Sequence, residues 1–468
     1  MLFPTIDFAA FFALVFPVTW LLNRLNSCKK WFLVGVSYYF YAYWKVEYVP
    51  LLFFSSLANF LIALQIGKLP DGKWRLTVLW IGVALNLGVL GYFKYYDFFL
   101  LSLIDLFDSI GVNLPVPFVE VALPIAISFL TFHALSYIID VYRRELPATE
   151  SLVDILFYFS FFPHLIAGPI VRAKQFLAQT TQRSSAASIR LGDSVFLILG
   201  GLFKKVIVAD YLASNFVDNI FRVPTSYSSA DLLLGAYAYG LQIYCDFSAY
   251  TDIAIGIANL LGYEFPQNFN QPYRAISVRD FWRRWHMSLS SWLRDYLYIP
   301  LGGNKRDTYR NILVTMLLGG LWHGASFNFV IWGLLHGLGL AVERALGLTL
   351  AGESKIAWPV AAMCWLITFN FVSFAWIFFR APSLEASFAY LSRLASGTGW
   401  STTMTPFVAT MMVLGAATQA IPAGWWAELQ ARYEAASLPL RIAVPFVVIF
   451  IIAVAGPSGI PPFIYFQF

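Results

Sequence analysis

VRDFWRRWHMSLSSWLRDYLYIPLGG, residues 278–303, and MLLGGLWHGASFN, residues 316–328, decide how this chain is read. The first reads as a helix. At about 100° per residue, Phe281, Trp282, Trp285, Leu289, Trp292, Leu293 and Tyr296 fall on one side. Asp280, Arg283, Arg284, Ser290, Ser291, Arg294 and Asp295 fall on the other, with His286 on the border. Trp on one face and Arg on the other suits a helix at a membrane interface, since indole favours the headgroup level and guanidinium favours water or phosphate. A surface helix with an incidental histidine fits the same pattern.

Thirty-seven residues beyond His286 stands His323, at the end of the apolar run NILVTMLLGGLW. As a helix from Asn311, that run carries His323 roughly 18 Å from its start, about half way through a ~30 Å hydrocarbon core. An ionisable group at such depth is costly and is a functional candidate. Gly319, Gly320, Gly324 and Ala325 strip bulk from both sides of it and would let a substrate or another helix approach closely. The plainer alternative is a packing histidine bonded to a backbone carbonyl.

The chain has 468 residues, 59% of them hydrophobic and only 12% charged, with mean hydropathy +0.67. Those values describe a polytopic integral membrane protein in a lipid bilayer and exclude a soluble multidomain one. A net charge of +5 suits positive-inside topology and an anionic donor, not nucleic acid. Cys28, Cys245 and Cys364 have no paired spacing, so neither a disulfide framework nor a metal site is expected. No P-loop, GxSxG elbow, HExxH or HxxxxD spacing occurs, which removes the commoner ATPase, hydrolase and soluble acyltransferase readings.

Candidate spans are about 6–22, 31–45, 47–66, 75–93, 120–140, 194–215, 229–261, 311–324, 327–346, 358–379, 404–421 and 440–456. The first, with no basic stretch before it and no small-residue cleavage site after it, reads as a retained span. Pro163 and Pro169 make 151–170 a broken or re-entrant helix. Asp97, Asp105, Asp108 and Glu120 mark 97–120 as an outer loop, whereas the basic residues between Arg274 and Arg310 place 262–310 in the cytoplasm. The expected fold is therefore an all-α integral membrane bundle of about 11–13 transmembrane or re-entrant helices. With no repeat or low-complexity linker it reads as one domain, 1–468, whose catalytic core is about 120–346.

Several polar groups inside spans need partners. Lys204, Lys205, Asp210, Gln242, Asp246 and Asp252 fall in two neighbouring spans, where mutual ion pairing is the economical account. His133 and His164 read as packing groups, His336 as a supporting one. Arg380 ends a span and is placed to snorkel to the interface.

Two imidazoles, one at an interfacial helix border and one at mid-depth, suit acyl transfer. One takes a proton from an attacking hydroxyl while the other holds the acceptor or steadies the oxyanion. No Ser or Cys stands at a recognisable nucleophile position, so direct attack by the acceptor is preferred. The phosphates of a donor such as acetyl-CoA would be drawn to the basic segment, with Arg279, Arg283, Arg284 and Arg294, and with Trp282 and Ser290, as donor-binding candidates. No permanently bound cofactor is expected.

The chain resembles the membrane-bound O-acyltransferases. The resemblance is carried by LPIAISFLTFHALSYIIDVYR (123–143), FFPHLIAGPIVR (161–172), YCDFSAYTDIAIG (244–256) and NFNQPYRAISVRDFWRRWHMSLSSWLRDYLYIPLGG (268–303). GGLWHGASFNFVIWGLLHG (319–337), FAWIFFRA (374–381) and the terminal PFIYFQF (462–468) extend it to the C-terminus. It implies that His323 of LWHGA is catalytic and that His286 of RRWH assists it. It also implies a helical bundle around a tunnel. More narrowly, the motifs are similar to those of the bacterial branch that acetylates polysaccharides. Such a protein sits in the inner membrane as a multi-pass subunit of an exopolysaccharide synthesis and export complex. It passes acetyl from a cytosolic thioester to a periplasmic acetyltransferase partner, for a polymer such as alginate or cellulose. D-alanyl transfer to teichoic acid, by the same fold, is the nearest alternative. A secondary transporter is the more distant one, and it would be expected to show internal pseudo-symmetry.

Overall fold

The computed structural model describes residues 1–113, 121–166, 168–181, 185, 189–348, 356–456 and 463. Glu120 of the expected outer loop, Ala167 of the FFPHLIAGPIVR motif, and all of PFIYFQF except Phe463 lie outside them. Among the described residues every regular element is a helix. Five are long and apolar enough to cross a membrane: Ile6–Arg24, Val46–Lys68, Lys73–Ser109, Trp358–Arg380 and Leu438–Ala455. Helices satisfy their own backbone hydrogen bonds, which is what a bilayer interior demands. The chain is thus an all-α polytopic membrane protein. It divides into two compact units, the first made of Met1, Ile6–Ser188 and Leu261–Glu264, and the second of Leu2–Thr5, Ile189–Leu260 and Phe265–Phe468.

The first unit holds α1 (Ile6–Leu21), α2 (Asn26–Ala42), α3 (Val49–Lys68), α4 (Lys73–Leu90), α5 (Tyr96–Ser109), α6 (Ile127–Tyr142), α7 (Leu152–Ser160), α8 (Phe162–Leu165) and α9 (Ala173–Thr180). Polar groups join these apolar helices where no water competes. Asn59 of α3 and Asn86 of α4 exchange amide hydrogen bonds of 3.1 and 2.8 Å, and Lys30 of α2 pairs with Asp154 of α7 at 2.5 Å. Arg75 is buried, donating to the carbonyls of Ile66, Val141 and Tyr142 at 3.0, 3.1 and 2.8 Å. It closes two helix C-termini.

One expectation changes here and one holds. The 97–109 part of the expected loop is helical, because Phe98, Phe99, Leu100, Leu101, Leu103 and Leu106 outweigh the isolated aspartates. A π-helical turn at Gly91–Tyr95 carries α4 into α5. The 151–170 segment is broken as expected, into α7 and the single turn α8 with Pro163 in that turn.

The second unit holds α10 (Leu191–Leu202), α11 (Asp210–Leu212), α12 (Asp218–Arg222), α13 (Ser229–Leu260), α14 (Val278–Arg284), α15 (Met287–Leu293), α16 (Thr308–His323), α17 (Phe327–Ala345), α18 (Trp358–Arg380), α19 (Leu384–Ser396), α20 (Pro406–Ala417), α21 (Ala423–Glu434) and α22 (Leu438–Ala455). The 404–421 span shrinks to α20, since Pro406 starts the helix at its first turn. A π-helical turn at Phe203–Ala209 turns two successive lysines toward α13. Lys204 reaches Asp252 at 2.5 Å and Ser248 at 2.8 Å, and Lys205 bridges Asp210 and Asp246 at 2.7 and 2.6 Å. The buried charges pair, as their spacing led one to expect. Arg380, at the end of α18, pairs with Asp218 at 2.6 Å and lies over the Phe221 ring.

Between α16 and α17 the backbones touch. A Cβ on Gly320 would lie 2.2 Å from the Phe329 carbonyl oxygen, and one on Gly333 would lie 2.4 Å from that of Met316. Of the two uses expected for the glycines around His323, close helix approach is therefore the one seen.

Candidate active site

The helix expected over 278–296 is interrupted at the histidine. Ser277 caps α14 by accepting the Asp280 N–H at 3.0 Å. Glu343 of α17 accepts the N–H of Val278 and, at 3.0 Å, that of Arg279. Trp285 is then extended and His286 left-handed, with φ 41°. That conformation costs a non-glycine residue about 1–2 kcal/mol, and it persists because Asn268 fills the break. The Asn268 carbonyl oxygen accepts Met287 N–H at 2.9 Å. Its side-chain oxygen lies 3.1 Å from Ser288 N, 2.8 Å from Ser288 Oγ and 3.2 Å from His286 Nδ1. The helix resumes as α15 and ends in a π-helical turn, Arg294–Tyr298.

The two-sidedness read from sequence survives this break. Phe281, Trp285, Leu289, Trp292, Leu293 and Tyr296 are buried, and Arg283 and Arg294 are exposed. Trp282 is the exception on the apolar side. It is half-buried, and its indole N–H donates to His336 Nδ1 at 3.3 Å.

His286 is fully buried, edge-on to Phe247 at 4.7 Å and against Trp322 at 5.9 Å. It lies outside the spanning helices, and burial pushes its pKa down to about 3, so the ring is neutral at physiological pH. Its Nε2 has no hydrogen-bond partner among the described residues. Phe463 packs against Tyr250 at 4.3 Å and against Phe247 at 5.7 Å, both tilted.

His323 is the last residue of α16, and Gly324 beyond it is extended. Its ring sits among Trp322, Trp332 and Phe379 at 5.1, 5.0 and 5.2 Å. His286 and His323 both pack on Trp322, so their centroids are no further apart than those two contacts together allow. His336, fully buried, touches Trp332 at 4.7 Å and extends the same cluster.

Beside this cluster lies a groove of about 660 Å³. Arg279, Arg283, Arg294 and Arg344 make it cationic, Trp282, Ser290 and Tyr298 line it, and its inner wall is Met287, Thr315 and Met316. Five of the six donor-binding candidates thus meet in one place. Arg284 does not join them: it turns back to pair with Asp280 at 2.9 Å. Neither imidazole lines the groove. Met287 adjoins His286 in sequence, however, and Thr315 stands eight residues, about 12 Å of helix, before His323.

Asn268, Trp322, Trp332, Phe379 and Arg344 are the neighbours that sequence reading passed over. The indoles and Phe379 count only as apolar residues in a helical pattern. Asn268 sits in an irregular segment where no period exists to single it out.

With this geometry stand the comparisons. The model of the membrane-bound O-acyltransferase family, MBOAT, matches residues 114–381, which contain both histidines and the whole groove. A probable alginate O-acetylase of Pseudomonas aeruginosa is 44% identical over 373 residues, 79% of this chain and 70% of its own length. A peptidoglycan O-acetyltransferase of Helicobacter pylori is 39% identical over 405 residues, covering 80% and 75%. A teichoic acid D-alanyltransferase of Streptococcus thermophilus is 32% identical over 244 residues, covering 47% and 57%.

Proposed function

Because this chain belongs to the membrane-bound O-acyltransferase family, we propose that it takes an acetyl group from a cytosolic thioester and delivers it across a bacterial inner membrane, for O-acetylation of an exported polysaccharide of the alginate type. The catalytic core, about 120–346, would provide the tunnel. The groove of arginines beside the two imidazoles carries this reading. Guanidinium groups hold phosphate through paired, charge-assisted hydrogen bonds. Arg279, Arg283, Arg294 and Arg344 are placed to hold the phosphates of acetyl-CoA, with Trp282 and Ser290 beside them. The thioester arm then points past Met287, Thr315 and Met316 toward the histidines, and those side chains move aside for it.

In the reaction an acceptor hydroxyl attacks the thioester carbonyl. His323 takes the hydroxyl proton as the C–O bond forms, the C–S bond breaks, and the proton passes to the thiolate that leaves. His286, neutral, accepts a hydrogen bond from the acceptor and holds it in line. The acceptor hydroxyl belongs to the polymer or to a periplasmic acetyltransferase partner of the export complex. Acetyl rather than D-alanyl is favoured because the acetyl-transferring relatives match more of the chain at higher identity.

The test is release of thiol from acetyl-CoA by the purified protein in detergent, with His323→Ala as control, together with polymer acetyl content in cells. Wild-type acetyl content in His323→Ala cells removes His323 from the mechanism.

A further inference from the structure

We infer that Asn268 is a positioning residue that fixes His286 as the Nδ1–H tautomer and leaves the Nε2 lone pair as the acceptor for a substrate hydroxyl. The inference deepens the acetyl-transfer reading and rests on it for the identity of that hydroxyl.

One backbone group near His286 has no ambiguity. Ser288 N–H can only donate, and it points at the Asn268 side-chain atom 3.1 Å away. That atom must be the amide oxygen and not the amide nitrogen, a choice that otherwise depends on the hydrogen-bond network. The amide nitrogen then faces Thr251 Oγ1, which accepts from it at 3.4 Å. His286 Nδ1 lies 3.2 Å from the same oxygen. Two lone pairs facing each other at that distance repel, so Nδ1 carries the hydrogen and donates. In a neutral imidazole the other nitrogen is then bare.

Bare Nε2 is fully buried and finds no donor among the described residues. The groups packed on the ring are Phe247 of α13, Phe269 of the preceding segment and Trp322 of α16, none of which ionises. A buried acceptor with no donor costs free energy unless something supplies the hydrogen. A hydroxyl of the acceptor that reaches Nε2 is the group of that chemistry which the proposed reaction brings. The strained backbone at His286 serves the same end, because the left-handed turn is what brings Nδ1 and Ser288 N–H onto one oxygen.

Two measurements test this. In protein labelled with 15N-histidine, His286, assigned by the resonance lost in His286→Gln, should show a protonated Nδ1 and an unprotonated Nε2. A protonated Nε2 overturns the inference outright and needs no variant of Asn268. The second is the pH profile of Asn268→Asp. A carboxylate still accepts from Ser288 N–H and from Nδ1–H, so the turn and the tautomer are kept. Its charge, however, raises the basicity of His286, and the acid limb of kcat should move up by about 1 to 3 pH units. If the limb stays where it was, Nδ1 of His286 does not donate to residue 268 in the working protein, which also overturns the inference. Asn268→Ala should lower kcat by up to about 100-fold, the low end of what a positioned proton-transfer group contributes. Loss of acetyl transfer as a whole is read separately by the His323→Ala control. Were the unaltered protein to release no thiol from acetyl-CoA while His286 showed the expected tautomer, the acetyl-transfer reading would fall and the role of Asn268 would stand.

Discussion

The first unit buries two histidines and the second three, and the pair in the first differs from His286 and His323 of the second in what surrounds it. In the first unit His133 and His164 face each other at 4.9 Å, walled by Tyr158, Phe161 and Phe176. His164 Nε2 meets the Tyr158 carbonyl at 2.7 Å, and His133 finds no hydrogen bond among the described residues. In the second unit His286 and His323 are both packed on Trp322, Asn268 orients one of them, and four arginines line a groove alongside. Burial is common to both pairs, so it does not by itself mark a site. What distinguishes the second pair is a side chain that orients an imidazole and a charged groove that can bring something to it.

The contrast is broken or sharpened by substitution. His323→Ala should lower polymer acetylation about 100-fold or more, the scale of a lost general base, at unchanged protein level by immunoblot. For His286, Ala should lower kcat nearly as far. Gln, whose amide reaches the place of Nε2, should recover about tenfold of that loss in the thiol-release assay; equal loss in both variants would deny a positioning role. Arg279→Gln combined with Arg283→Gln should raise the donor KM about tenfold with kcat kept, and 0.5 M salt should partly reproduce this in the unaltered protein, as expected for exposed charges. Smallest of all, His133→Leu should leave acetylation within about twofold. His164→Leu should cost about 1 kcal/mol of stability for its lost hydrogen bond, read as a shift in Tm. A tenfold fall in acetylation for His133→Leu would make the first unit's pair a second site and erase the contrast.

Sequence alone foretold the class of fold, the pairing of Lys204 and Lys205 with aspartates, the break at Pro163 and the gathering of Arg279, Arg283 and Arg294. Each of these follows from a local rule: hydropathy for the spans, the cost of unpaired charge in lipid, the missing N–H of proline, or the two faces of a helix. The rule that failed over 278–296 failed for an instructive reason. Helical sidedness is kept on both sides of the left-handed residue, so the pattern of Trp and Arg gives no sign of the interruption. Its cause is Asn268, eighteen residues upstream of His286, acting through space. Arg284 was misplaced likewise, because Asp280 four residues before it is a nearer partner than any groove. The extension of the fourth helix to Ser109 was hidden by three aspartates that a helix can present outward without penalty.

Phe463 has a practical consequence. Its ring leans on Phe247, and Phe247 is the wall of the His286 pocket, so the chain's far end is mechanically one side chain removed from the imidazole. Trimming the protein after Gly456 would therefore remove a ring that bears on the wall of the proposed site. An inactive trimmed preparation would speak about the trimming before it spoke about the enzyme.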